Sequence, residues 1–182
     1  MATVVRFGDT WIAGGSDASD AAVWRSRDGR TWTRVRADAL RSSSRSREGM
    51  VVDLAVVGET LVAVGMEGGQ DSSRARAWWS TDGSDWQRAP MDGARDGQVF
   101  SVADTGAELL ATGPSGGCPG IWSTTEGRRW ACAASGPRMQ LFGPYAAAAN
   151  DEIEVAVGLT NEGWDEDSGE AIPGAIWWRP RP

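Results

Sequence analysis

The chain has 182 residues, 41% of them hydrophobic, and a formal net charge of −7. That length can enclose a sizeable core, no apolar run is long enough to span a membrane, and an acidic balance without a basic stripe argues against nucleic-acid binding. All 18 cations are Arg and His is absent, which removes Ser-His-Asp and Cys-His catalysis and most zinc sites.

In chain order the sequence divides into four units, at 1–37, 48–90, 97–135 and 139–182. The first opens with a strand from Thr3 to Phe7, turns at Gly8-Asp9 and runs on from Trp11 to Gly14. The polar stretch Arg41 to Arg47 could bind an anion, but reads rather as a mobile loop between units. In the second unit Met50 to Val57 is a strand, Gly58-Glu59-Thr60 a turn and Leu61 to Gly65 a strand. A hairpin from Arg74 to Arg88 follows. Short consecutive strands of this kind predict an antiparallel meander. The third unit repeats the pattern from Val99 to Ala133. In the fourth, Leu141 to Ala149, Ile153 to Val157 and Ala175 to Trp178 are strands, with a long acidic loop before the last. Proline cannot donate to a ladder, so the tail Arg179-Pro180-Arg181-Pro182 builds no regular fourth strand.

One motif recurs without a gap. Trp24 to Trp32, Trp78 to Trp86 and Trp122 to Trp130 all read W-x-[ST]-x-[DE]-G-x-x-W, and Trp177 begins a partial fourth copy. The first Trp of each copy is spaced by 54, 44 and 55 residues, a period that means one supersecondary unit repeated. Asp-Gly between β-prone runs signals a hairpin, and the acid and hydroxyl can accept from turn amides. The symmetry of each copy about its acidic residue predicts two Trp facing each other across that hairpin.

These motifs resemble Asp-box, or BNR, repeats, usually S-x-D-x-G-x-T-W. Ser26, Asp28, Gly29, Thr31 and Trp32 match with one residue fewer between Asp and Gly. Ser80, Asp82, Gly83 and Trp86 match less fully, and Thr124, Glu126, Gly127 and Trp130 loosely. The resemblance implies an all-β fold: a β-propeller of four four-stranded antiparallel blades, the last incomplete, in a single domain over 1–182. It places each box at the blade periphery between the third and fourth strands. It also implies an extracellular or cell-envelope setting, although Met1 to Arg6 is not a signal peptide. The function expected is a non-catalytic module that binds or scaffolds a glycan or protein. The alternative is a partial or degenerate sialidase-like glycoside hydrolase. A sialidase-like site would need a Tyr nucleophile beside a Glu. The only Tyr, Tyr145, has no Glu near it in sequence and reads as a core or turn residue, and Arg-Ile-Pro is absent.

Three further features stand apart from the repeat. Asp165, Asp167 and Glu170 offer hard oxygen ligands near Gly169, a pattern that suits calcium; a solvated acidic loop that holds no cofactor is the favoured reading. Trp164 could stack on a sugar or a partner. Cys118 and Cys132 flank the third box, with Cys132 expected to face Gly120; they form either a disulfide or two part-buried thiols. Both ends of the repeat array look open. The array is therefore expected to be half of a larger or homodimeric ring, completed by a second copy or by further blades.

Overall fold

The computed structural model describes residues 1–43, 48–69, 72–118, 120–132, 144–150, 152–159 and 174–180. The first sheet comprises β1 (Thr3–Phe7), β2 (Thr10–Asp17), β3 (Asp20–Ser26) and β4 (Thr33–Arg34). A 3-10 turn, Asp38–Leu40, leads to the second: β5 (Glu48–Val57), β6 (Thr60–Gly69), β7 (Ser72–Ser80) and β8 (Gln87–Ala89). The third contains β9 (Ser101–Asp104), β10 (Leu109–Thr112), β11 (Ile121–Thr124) and β12 (Ala131–Cys132). The fourth has β13 (Pro144–Ala149), β14 (Ile153–Leu159) and β15 (Gly174–Pro180) among the described residues. Each sheet is an antiparallel meander in simple chain order, and no described helix is long and apolar enough to cross a membrane.

The sheets stack face to face in sequence. The first strands carry the innermost packing, since β1 lies on β5, β5 on β9 and β9 on β13. Sheets one and two share a core of Ile12, Val23, Val51, Leu54, Leu61, Trp78 and Trp86. Sheets two and three share Val62, Val64, Ala77, Val99, Leu109, Trp122 and Trp130. Alternation along each strand makes this possible: Leu61 and Ala63 face backward to the first sheet, while Val62 and Val64 face forward to the third. The result is the arc of a β-propeller with four blades, the last lacking a described outer strand.

A meander also sorts its connections by end. The β1–β2 and β3–β4 turns share one end of a blade; the β2–β3 turn and the link to the next blade share the other. The boxes therefore lie at the end away from the inter-blade links. Of the stretch from Arg41 to Arg47, the described residues reach Ser43 and bond to the blades on either side. Ser42 donates its amide to Asp20 at 2.8 Å, and Ser43 donates its own to Glu67 at 2.5 Å.

Cys118 and Cys132 are bonded, with Cα atoms 5.8 Å apart and 14 residues of separation. Cys132 faces Trp122 in the ladder, not Gly120 as the sequence suggested. Closing a loop of this length removes denatured-state freedom worth about 3 kcal/mol. The Cys118→Ala/Cys132→Ala double variant is expected to lose about 2–3 kcal/mol in urea unfolding; an unchanged midpoint would contradict it.

Candidate functional site

The repeated motif builds a turn, and its geometry separates scaffold from site. In the first box Gly29, at φ +70, donates its amide to Ser26 Oγ at 2.9 Å. Asp28 Oδ1 accepts from the amides of Arg30 and Thr31, both at 2.8 Å, and from the Ser26 hydroxyl at 3.0 Å. The second box repeats this through Ser80, Asp82, Gly83, Ser84 and Asp85. In the third, Thr124 Oγ1 accepts from Gly127 at 3.0 Å, while no described amide reaches the Glu126 carboxylate. The extra methylene of Glu explains this, because it carries the carboxylate past the turn.

The expected Trp–Trp pairing across each hairpin does not occur. The whole stretch from Arg27 to Trp32 turns, so Trp24 faces Arg34, Trp78 faces Arg88 and Trp122 faces Cys132. The second Trp instead closes its own box. Trp32 Nε1 donates to Gly29 O at 3.2 Å and Trp86 Nε1 to Gly83 O at 3.4 Å, whereas the buried Trp130 Nε1 finds no described partner. The first Trp ties down the link that arrives from the preceding blade. Trp78 Nε1 donates to Ala39 O and Trp122 Nε1 to Asp92 O, both at 2.8 Å.

These turns hold their acids in the charged form. Amides of Thr31 and Arg30, with the Ser26 hydroxyl, bring the Asp28 carboxyl down from 3.8 to about 2. Amides of Asp85 and Ser84 lower Asp82 likewise. A carboxylate without a proton at neutral pH cannot serve as a general acid. The cleft of about 600 Å³ beside the first box is lined by Arg25, Arg27, Arg34 and Arg36 but by no aromatic ring, so it offers a sugar no stacking face.

The axial end of the inner strands is different. Asp53, paired with Val64, follows the register shift of β5 at Val52, and its carboxylate reaches the neighbouring blades. One oxygen accepts from the Thr3 hydroxyl at 3.0 Å and the Leu54 amide at 2.9 Å; the other accepts from the Val102 amide at 2.9 Å. Three blades thus meet on one carboxylate. Two residues before Val102, Phe100 stacks on Tyr145 with centroids 5.0 Å apart and rings 6° from parallel. Tyr145 occupies the matching bulge of β13 and is part-exposed, so it is neither a core nor a turn residue as the sequence suggested. Asp53 and the Phe100–Tyr145 platform had no motif to announce them. The only signal was that an acid and an aromatic interrupt otherwise apolar inner strands. Trp164, Asp165, Asp167 and Glu170 fall outside the described residues.

Behind this end, Glu67 is buried against Arg76, whose Nε donates at 2.8 Å. Burial alone pushes the Glu67 carboxyl up, but donors from Ser43 and Arg76 outweigh it and bring it from 4.5 to about 2.

No protein-family model matches the sequence, and neither does any curated protein. Solved structures do. A GH93 α-L-arabinofuranosidase of Fusarium graminearum, in complex with arabinobiose, is 12% identical over 98% of this chain and 61% of its own, at TM-score 0.58. A glycosyl hydrolase of Bacteroides ovatus is 11% identical over 97% and 65%, at 0.52. A GH130-family structure, described with glycoside hydrolases that target β-1,2 mannosidic linkages in Candida mannan, is 10% identical over 96% and 64%, at 0.53. The chain spans less than two thirds of the length of each. At these identities the likeness shows the propeller fold. It also corrects the expectation that the chain is not an enzyme, because the propellers it resembles are glycoside hydrolases.

Two outcomes test this division. Ser80→Ala removes a fully buried acceptor and is expected to cost about 1–2 kcal/mol, whereas Glu126→Gln should stay within about 0.5 kcal/mol in the same denaturant titration. The Glu67 contribution is complete above 4.5 and is lost as pH falls towards 2, since the unfolded chain holds that proton more tightly. Glu67→Gln is therefore expected to be less stable than the parent at neutral pH, with thermal midpoints converging across that acid window; parallel pH profiles would exclude the assignment.

Proposed function

We propose that this chain acts on carbohydrate through a glycoside-hydrolase-type propeller, with the sugar meeting the axial end that carries Asp53 and Tyr145. The observation that carries this reading is the likeness, over nearly the whole chain, to propellers described as glycoside hydrolases. The chemistry of the two ends supports the placement. At the rim, Asp28 and Asp82 are committed to turn amides and cannot deliver a proton. At the axis, a part-exposed aromatic platform suits the apolar face of a pyranose or furanose ring.

Within this reading, Asp53 is a positioning residue: bonded to Thr3 and Val102 of the neighbouring blades and to the Leu54 amide of its own strand, it holds three inner strands in register beneath the sugar. Cleavage of a glycosidic bond takes two carboxyl groups about 5–10 Å apart; we assign neither. We also read the three turns as Asp boxes, a reading supported by the shared Ser–Asp–Gly bonding of the first two. The Cys118–Cys132 bond supports an oxidising, extracellular or envelope setting.

The test is a panel of short arabino- and β-1,2-manno-oligosaccharides, read by calorimetry, product release and amide hydrogen exchange. Binding is expected to slow exchange at Leu54, Val102 and the strand around Tyr145, and to leave the boxes unchanged. Tyr145→Ala should weaken affinity about tenfold. Protection confined to the boxes, or no binding to any member of the panel, would overturn the proposal.

A further inference from the structure

At the two joints that a box closes, the contact between successive blades follows one rule, and its two halves recur uncovered on the outer faces of the first and fourth sheets. In the first joint the box of sheet two reaches back onto sheet one. A Cβ on Gly83 would lie 2.9 Å from Ile12 Cδ1, and Ser84, the next residue, accepts from Arg25. In the second joint the box of sheet three reaches back onto sheet two. Gly127 presses on Val62 with no room for a Cβ, and the Arg128 guanidinium lies 4.6 Å from the Trp79 ring centroid. Ile12 pairs with Arg25, and Val62 with Trp79, across their second and third strands. Each socket is therefore one such cross-strand pair, and each plug is a box glycine followed by its next residue.

Sheet four carries the same socket. Val155 pairs with Trp178 in the register that Val62 has with Trp79. Yet Trp178 is 68% exposed, and Ile176, which matches the position of Ala77, is 73% exposed. Sheet one carries the plug: Gly29 at φ +70, followed by an exposed Arg30. On the same face Val4 is 57% exposed, where its counterpart Leu54 is buried. Arg30 stands where Arg128 stands, and Trp178 where Trp79 does.

We infer that these two faces bind each other between copies of this chain, with Gly29 of one copy seated on Val155 of the next and Arg30 stacked over Trp178. The second copy is the occupant because it presents both halves with matched chemistry: a cation for an indole face, a bare glycine for a branched aliphatic, and apolar flanks on both sides. The joint is head-to-tail, so each copy offers one plug and one socket. This inference is independent of the sugar site, which lies at the axis rather than on these faces.

The experiment is light scattering on the full chain across a range of concentrations, with Trp178→Ser and Arg30→Glu. Both residues are exposed, and unchanged circular dichroism will verify that the variants fold. The parent is expected to exceed its monomer mass of 19.3 kDa as concentration rises, and each variant alone to associate about tenfold more weakly. An equimolar mixture of the two should recover a two-chain species, because one supplies an intact plug and the other an intact socket. A parent that stays monomeric, whether closed on itself or awaiting further blades, would overturn the inference. So would variants that associate as the parent does, or a mixture that recovers nothing.

Discussion

The structure depends on a glycine pressed flat against the blade before it. Gly83 on Ile12 and Gly127 on Val62 leave no space for a side chain, so the backbone of one blade forms part of the core of the next. A positive φ is also needed there for the chain to reverse. Two separate demands, conformation and clearance, thus fall on one residue. The Ser and Asp of the box exist to meet them, since their bonds to the turn amides hold that glycine at the right height and angle.

From that contact the roles of the other repeated residues follow. The second Trp of each of the first two boxes caps the turn through the glycine's own carbonyl, keeping the turn closed where it meets its neighbour. The first Trp faces backward and grips the link that the preceding blade sends across. The second and third blades are thereby held to their predecessors at both ends, by the box at one and by the indole at the other. Asp53 adds a third tie at the axis, where the inner strands come closest. These ties are polar bonds set around an apolar stack, and they fix register where aliphatic packing by itself would tolerate a slip.

The same division separates stability from chemistry. The rim acids are consumed by amides and stay ionised, which suits a turn and disqualifies a proton donor. The axial end combines bulged inner strands, an anchored carboxylate and a part-exposed aromatic pair. A bulge takes one residue out of the ladder and re-aims its side chain; in β13 that residue is Tyr145, and in β5 it is Val52, next to Asp53.

The strands were legible in the sequence because their signals are local: alternating apolar residues, Gly-containing turns and a motif copied at a long period. The bounds of Thr3–Phe7 follow from its β-prone residues and the Gly8-Asp9 turn alone, whereas the last strand continues through Pro180, past the Trp178 at which the sequence ended it. The likeness to Asp boxes pointed to a propeller for the same reason. What each Trp touches was not legible. Mirror symmetry in the motif suggested that Trp24 would face Trp32, but the turn takes up Arg27 to Trp32 and moves the partner of Trp24 two residues on, to Arg34. The axial site was equally hidden, because Asp53, Phe100 and Tyr145 belong to three different blades and share no spacing. Local periodicity therefore determined the elements and their order. Only the stacking of blades decided which acids are bound in turns, which carboxylate stands on the axis, and which faces remain uncovered, because those properties arise between sheets and not along the chain.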